Sequence, residues 1–205
     1  MWSIWKAQNL IIFEEKKLSI LYILHQINSF IQLCSPPAVT CKKIRVIGPS
    51  PCLVFPSGFF YGASTNNLYG VGFFPYLNVS HHFEFAMGVG DSTNTKAELL
   101  GLWDLLHTSH MMAIPLSHIF GDSSVIINWA KGSTDLSPPE LFHWCGKTRK
   151  LINCFPDLSL CHIYCEHNQI TDRLSKTALS LAPGSACFSE FTKDHLVTHG
   201  TYQLF

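Results

Sequence analysis

Three acidic residues stand where a carboxylate interrupts an otherwise apolar pattern. Glu98 falls inside a helical run of alanine and leucine, Asp122 ends an apolar strand-like run, and Asp172 falls in the first turn of a C-terminal helical segment. A buried carboxylate needs a cation or hydrogen-bond donors, and hard divalent cations prefer oxygen ligands. Together the three acids predict a divalent-metal site, although Asp122 alone can cap a helix and Asp172 alone can favour a helix dipole.

The elements that must position these acids follow from the change of hydrophobic period along the chain. Strands are predicted at 59–61, 69–77, 82–89, 116–121 and 158–166, and helices at 94–106, from 125, from 138 and after 168. Short connections make the first three strands an antiparallel meander. This order predicts an α/β fold with one five-stranded mixed sheet and helices on both faces, which brings strand ends and a helix start to one edge.

Composition supports a folded domain and excludes several functional classes. The chain has 205 residues, of which 47% are hydrophobic and 14% charged, with 14 basic and 14 acidic residues. An intrinsically disordered chain needs lower hydrophobicity and higher charge. A pI near 7.1 gives no general attraction to phosphate, which argues against a strongly basic nucleic-acid binder.

Charge and turn residues divide the chain into three parts. Residues 1–50 carry six basic and two acidic residues. The Gly-Pro-Ser-Pro segment at 48–51 is typical of a turn that ends a helix or strand, and it marks the end of this part. This basic flank has apolar residues at helical spacing between Ile20 and Ile31, which predicts one amphipathic helix that packs on a neighbour or, alternatively, binds a partner or a membrane surface. We expect a domain at 55–182 and a loosely ordered tail at 183–205.

Targeting features and cysteines indicate a reducing compartment. No stretch reaches the roughly 18 consecutive apolar residues of a membrane span, and the first residues lack the features of a secretory signal. None of the eight cysteines forms a Cys-x-x-Cys pair, which favours free thiols over zinc or disulfide chemistry. We therefore expect an intracellular protein of the nucleus or cytoplasm, with no membrane partner, no disulfide-linked partner and, by default, a monomeric state.

Four segments resemble, in order, the motifs of the ribonuclease H fold. They are Phe-Phe-Tyr-Gly-Ala-Ser at 59–64, Asn-Thr-Lys-Ala-Glu-Leu at 94–99, Ile-Phe-Gly-Asp-Ser at 119–123 and Glu-His-Asn-Gln-Ile-Thr-Asp-Arg-Leu-Ser at 166–175. The resemblance covers about residues 55–182. Within the fold family, these motifs look most like the reverse-transcriptase-like ribonuclease H domains of plants and their non-LTR retroelements. The segment before it resembles, more weakly, the end of a retroelement reverse transcriptase.

The resemblance implies hydrolysis of the RNA strand of RNA–DNA hybrids by two Mg²⁺ or Mn²⁺ ions. It assigns Glu98, Asp122 and Asp172 as metal ligands and catalytic carboxylates. The positions that it places near the nucleic-acid backbone are Gly62, Asn94 and Ser123. Local roles are alternatives for these three residues: a turn, a helix cap and a helix start.

The first motif departs from the family pattern at Tyr61, which stands where the family has an aspartate that ligates both metals. A phenol has a reference pKa near 10 and is largely neutral at pH 7, so it cannot supply two anionic oxygens. No acidic residue lies between Lys16 and Phe83 to replace it. We therefore expect impaired cleavage of hybrids. The alternative is a catalytically inactive, retroelement-derived module that binds nucleic acid, or a remnant without activity.

Overall fold

The computed structural model of the chain describes residues 54–203, which form an α/β domain. Its strands are β1 (Ser57–Thr65), β2 (Leu68–Asn78), β3 (His81–Gly90), β4 (His118–Gly121), β5 (Ser159–His162), β6 (Ser185–Thr192) and β7 (His195–Gln203). Its α-helices are α1 (Asn94–Met111), α2 (Ser124–Ala130), α3 (Phe142–Ile152) and α4 (Gln169–Ala178). Single 3₁₀ turns occupy Pro139–Leu141 and Cys165–His167. The predicted helix of the N-terminal flank lies outside the described residues.

The strands form one mixed sheet in the order β5-β4-β1-β2-β3-β6-β7. The first three are antiparallel neighbours, whereas β4 lies parallel to β1 and β5 parallel to β4. The first turn is tight because Asn66 and Asn67 both adopt positive φ (51° and 62°), which asparagine tolerates better than most residues. The predicted fold class and the antiparallel meander are confirmed, and β1 lies inside the sheet between β4 and β2.

The sheet has seven strands instead of the predicted five, because the C-terminal residues form a hairpin. Strand β6 pairs antiparallel with β3, and β7 pairs antiparallel with β6. The predicted loosely ordered tail is therefore wrong over Ser185–Gln203. Ala186 is the one fully buried residue of the two strands, so the segment lacks a strong apolar period. Its turn, Lys193 and Asp194 with φ of 50° and 62°, also lacks a glycine or asparagine that would have indicated it.

A second correction concerns β5, which was predicted over 158–166. The strand ends at His162, and the chain then turns through the 3₁₀ segment Cys165–His167 into α4. Paired with β4 over four residues, β5 is a short edge strand. Among the described residues, no helix combines the length and the apolar character needed to cross a membrane.

Two apolar layers hold helices on opposite faces of the sheet. On one face, leucines of α1 pack with the central strands and with residues of α2 and α3. On the other face, Leu174 and Ala178 of α4 pack against Phe59 and Phe74, whose rings stack with centroids 5.0 Å apart. Both faces of the central strands are therefore buried, which fixes their register because a one-residue slip would exchange the two faces.

Helix α4 lies directly on β2 because that strand presents glycines to it. A β-carbon on Gly72 would lie 2.5 Å from the backbone nitrogen of Ser175, and one on Gly70 would lie 2.5 Å from the Ser175 carbonyl oxygen. Such distances are shorter than real carbon contacts, so any side chain would push the helix outward. The two glycines thus set the height of α4 above the sheet, and with it the position of Asp172.

We predict that Gly72→Ala destabilises the domain by about 1–3 kcal/mol, because the new methyl group meets rigid backbone. The control is Gly146→Ala within α3, where a β-carbon would meet no atom within 4 Å. That substitution should raise the free energy of unfolding by roughly 0.5–1 kcal/mol, since alanine is the better helix former. Urea unfolding measures both. Equal effects of the two variants would contradict the close packing of α4.

Candidate functional site

The phenol of Tyr61, half-buried on β1, lies among the three predicted acidic side chains. Burial raises the pKa of Tyr61 to about 12, and neighbouring carboxylates add to the rise. Those carboxylates belong, in order of decreasing effect, to Asp122, Glu98 and Asp172. The charges of all three acids therefore reach the Tyr61 phenol. Their joint role as a catalytic or metal-binding set stays a prediction.

Glu98 enters the site from α1, which approaches β1 at Gly62. A β-carbon on Gly62 would lie 2.5 Å from the Glu98 backbone nitrogen and 2.6 Å from the Ala97 carbonyl carbon, so only glycine allows this contact. Burial, and after it the charge of Asp122, raise the pKa of Glu98 well above its ordinary value. A hydrogen bond from the Gly62 N–H lowers this pKa but does not cancel the rise. One carboxyl oxygen, Oε2, is buried without a hydrogen-bond partner.

Asp122 follows the last residue of β4 and is held by the side-chain amide of Asn168. The Asn168 Nδ2 donates to Asp122 Oδ1 at 3.2 Å and to the Phe60 carbonyl oxygen on β1 at 2.9 Å. Its Oδ1 accepts a hydrogen bond from the Thr171 hydroxyl in α4. Asn168 is itself 2% exposed. One buried amide therefore ties β1, the end of β4 and the start of α4 together.

A thiol also faces Asp122. Cys165, in the 3₁₀ turn before α4, donates a hydrogen bond to the Asp122 carboxylate, and this bond, with burial, raises the pKa of Cys165 to about 11. A neutral thiol at this position offers the site no positive charge that could contact phosphate or carboxylate.

Asp172 occupies the outer side of the site, in the first turn of α4. Its Oδ2 accepts a hydrogen bond from the Lys176 ammonium at 2.7 Å, one helical turn further on. The Asp172 side chain is 35% exposed and that of Lys176 is 63% exposed, so the pair is partly screened by solvent. The glycines of β2 that seat α4 also place this carboxylate near Tyr61.

The residues present do not fit the pair of metal ions that the sequence resemblance implies. Within residues 54–203, no group of three or more His, Cys, Asp and Glu side chains is arranged to hold a metal ion. Tyr61 supplies a neutral phenol between the acids, and its raised pKa keeps it neutral at pH 7. The Asp122 and Asp172 carboxylates are already bonded to protein donors. A bridging anionic oxygen is the missing element.

Of the three residues predicted near a nucleic-acid backbone, Gly62 has a structural role of its own. Gly62 provides the contact between β1 and α1. Asn94 is the exposed first residue of α1, and the cap is Thr93, whose hydroxyl accepts from the Lys96 N–H at 3.2 Å. Ser123 precedes α2 without making a side-chain capping bond. Their contact with nucleic acid stays a prediction.

The sequence did not indicate the role of Asn168 in the site. The residue does precede α4, but its side chain makes no capping hydrogen bond to that helix. It bonds instead to Phe60 and Asp122, which are 108 and 46 residues away in the chain. No local pattern indicates partners at that separation.

We predict that Asn168→Ala lowers the free energy of unfolding by about 1–3 kcal/mol, because it leaves the buried Phe60 carbonyl without its donor. Gln169→Ala, at the adjacent exposed position, is the control and should change stability by less than about 0.5 kcal/mol. Denaturant titration of both variants measures the difference. A loss in the control as large as in Asn168→Ala would mean that the amide does not join the three elements.

Glu98 should make the stability of the domain depend on pH. Its pKa is raised in the folded state, so ionisation of the unfolded chain above its ordinary value of 4.5 favours unfolding. Glu98→Gln should therefore match the unmodified chain below the ordinary pKa of 4.5 and exceed it in stability by a margin that grows as the pH rises from there toward the raised pKa of Glu98. Thermal unfolding across this range measures the margin, with the exposed Glu140→Gln as control. A margin that shrinks with rising pH would contradict the burial of Glu98.

Comparisons with known proteins agree with this architecture. Residues 82–178 match the family model described as reverse transcriptase-like. A search of curated proteins gives no significant match.

Solved structures of ribonucleases H superimpose on the domain. RNase H1 from the archaeon Halobacterium salinarum matches with 26% identity and a TM-score of 0.56, over 62% of this chain and 98% of that one. The N-terminal RNase H domain of a Mycobacterium tuberculosis protein matches with 20% identity and a TM-score of 0.54, over 60% and 93%. LC11-RNase H1, solved in complex with an RNA/DNA hybrid, matches with 21% identity and a TM-score of 0.54, over 60% and 95%. The fold and these matches together show that residues 54–203 contain a domain with the ribonuclease H-like fold.

Proposed function

We propose that the chain is a ribonuclease H-type domain that binds RNA–DNA hybrids and hydrolyses their RNA strand only weakly, because of Tyr61. The observation that carries the proposal is the convergence of three acids on this phenol, at the site where the sequence resemblance locates catalysis. A hybrid as the ligand is supported by its presence in the structurally similar LC11-RNase H1. The ribonuclease H-like fold also supports the proposal that catalysis would take place around Tyr61.

The proposed roles follow the sequence motifs. Glu98, Asp122 and Asp172 are the remaining acidic groups, with Mg²⁺ or Mn²⁺ as the cation that the family implies. Tyr61 withholds the bridging oxygens, so affinity for a pair of ions is weak and the hydrolytic chemistry that such a pair supplies is largely lost. Gly62, Asn94 and Ser123 would then lie along the nucleic-acid backbone.

Electrostatics predict how such a domain would bind. The formal net charge of the chain is zero, so the chain as a whole has no general electrostatic attraction to phosphate. Binding should accordingly be weak and decrease with salt concentration. Recognition of a hybrid over duplex DNA then depends on shape and 2′-hydroxyls rather than on charge.

A specific observation favours a second candidate, a non-catalytic module derived from a retroelement. Within residues 54–203, no metal-holding cluster of His, Cys, Asp and Glu side chains forms. The domain would then hold a hybrid or structured RNA without cleaving it, or keep the fold without a selected activity. Gel-shift titration with hybrid, duplex DNA and duplex RNA separates a binder, which prefers one of them, from a remnant, which binds none.

We predict that Tyr61→Asp increases Mg²⁺- or Mn²⁺-dependent cleavage of an RNA–DNA hybrid by about 100-fold or more. A restored bridging carboxylate should contribute several kcal/mol to the transition state, and each 1.36 kcal/mol is tenfold in rate. Tyr61→Asn, which has the size of aspartate without its charge, is the matched control and should gain nothing. Robust cleavage by the unmodified chain, or equal activity of the Asp and Asn variants, would refute the proposal.

A further inference from the structure

Helix α3 presents a positively charged face to solvent. Lys147, Arg149 and Lys150 are all exposed there, and no acidic residue occurs at 141–156. We call these three residues, together with the exposed Gly146, the basic face of α3. Residues three and four apart are neighbours on a helix, so Gly146 lies next to Arg149 and Lys150, and Lys147 lies next to Lys150. The chain has no net charge, so this face is a local concentration of positive charge.

Two of the cations are held in place by indole rings instead of carboxylates. The Lys147 ammonium nitrogen lies 4.8 Å from the centroid of the Trp144 ring and 5.8 Å from that of Trp103. The Arg149 guanidinium carbon lies 4.8 Å from the centroid of the Trp129 ring, and its Nη2 donates to the Trp129 carbonyl oxygen at 3.3 Å. Indole faces attract cations but do not cancel their charge. In the part of the chain that the structure describes, no ion pair includes a residue of α3.

This charge pattern is unfavourable for the domain on its own. Lys147 and Lys150 are like charges one helical turn apart, and such charges repel each other. The helix dipole favours basic residues in the last turn, which accounts for Arg149 and Lys150 but not for Lys147. A bound anion would remove the repulsion, so the pattern fits a surface that binds a polyanion.

Gly146, in the middle of the basic face, has no packing role. A β-carbon there would meet no atom within 4 Å, so no neighbouring element requires a glycine. Glycine in a helix interior is less stable than alanine, but it lets a ligand approach the backbone closely. At 3.6 residues per turn, Gly146 lies between Arg149 on one side and the two lysines on the other. The gap between the cations therefore leaves room for an anionic backbone against the helix.

The apolar residues of α3 argue against a membrane surface as the polyanion. A helix that lies in a membrane interface inserts an apolar face among the lipids. In α3, Trp144, Leu151 and Ile152 pack against the core of the domain instead. On its exposed side, Phe142 is the one large apolar side chain. A nucleic-acid backbone needs no apolar face, because lysine and arginine contact its phosphates directly.

We propose that the basic face of α3 binds the phosphate backbone of nucleic acid without regard to base sequence. This inference rests on the function proposed above only for the choice of nucleic acid as the polyanion, and it requires neither the acids around Tyr61 nor cleavage. Phosphate contacts carry no sequence information, so hybrid, duplex DNA and duplex RNA should all use the face. The face supplies locally the attraction to phosphate that the zero net charge of the chain does not give.

The test is fluorescence anisotropy of a short labelled hybrid, duplex DNA or duplex RNA titrated with the full chain. Lys147→Gln combined with Lys150→Gln should weaken binding of all three by about tenfold or more at about 50 mM salt. It should also reduce the slope of log affinity against log salt by about 2, since each phosphate contact contributes nearly 1. The matched control is Lys193→Glu, which changes the net charge equally at an exposed position of the β6–β7 turn. Its loss should be less than about twofold, because salt screens distant charges.

Three results would overturn the inference. They are equal losses in the double variant and in Lys193→Glu, an unchanged salt slope in the double variant, and no binding of any of the three nucleic acids by the unmodified chain at about 50 mM salt. The cleavage expected of Tyr61→Asp is a separate readout. Its absence would refute the proposed function and leave the basic face standing, whereas a failure of the lysine variants to matter would leave that cleavage untouched.

Gly146→Gln tests the face without removing a charge. The new side chain enters open space and glutamine is the better helix former, so the Tm of the variant should rise. The same side chain should hold a phosphate backbone away from the helix and weaken binding by about threefold or more. A more stable variant with unchanged affinity would contradict the proposal. Tighter binding of the unmodified chain to phosphatidylserine vesicles than to the nucleic acids would also contradict it, by making a membrane the partner.

Discussion

The geometry of the candidate site depends on the buried amide of Asn168. This one side chain bonds to the carbonyl of Phe60 on β1 and to the carboxylate of Asp122, which follows the neighbouring strand β4. Its carboxamide oxygen also accepts from Thr171 in the helix that carries Asp172. Three chain segments that are far apart in sequence are thus fixed relative to each other by one residue. A buried carbonyl or amide left unpaired here would cost more free energy than its hydrogen bond contributes. The three hydrogen bonds of Asn168 are therefore expected to form and break together.

Tyr61 places a neutral phenol within that framework. The strand still carries Gly62 into contact with α1, and Glu98 still reaches the site. In place of a fourth acid, however, the site holds a phenol whose pKa is raised to about 12 by burial and by the acids around it. Protons and protein donors then satisfy the carboxyl groups, as the Cys165 thiol does for Asp122 and the Lys176 ammonium for Asp172. The carboxyl groups of the site are therefore satisfied without a bound cation, which agrees with the proposed loss of metal chemistry.

The sequence predicted those parts of the structure that local patterns encode. Alternating and helical periods indicated the meander and α1, and the position of Glu98 within an apolar helical run indicated its burial. Contacts made over long separations were not predictable in this way, and the partners of Asn168 and the pairing of β6 with β3 both belong to this class. The hairpin also buries little beyond Ala186, so its strands lack the apolar period that marks a core strand. Asp104 shows the same limit, because nothing in the α1 sequence distinguishes a buried, partnerless acid from an exposed one.

The most direct test of the account is anomalous diffraction from a crystal of the unmodified chain soaked in Mn²⁺. The account predicts the Tyr61 ring between Glu98, Asp122 and Asp172, with no pair of manganese peaks among them. Two peaks about 4 Å apart at these carboxylates, the spacing of a two-metal hydrolase, would contradict it.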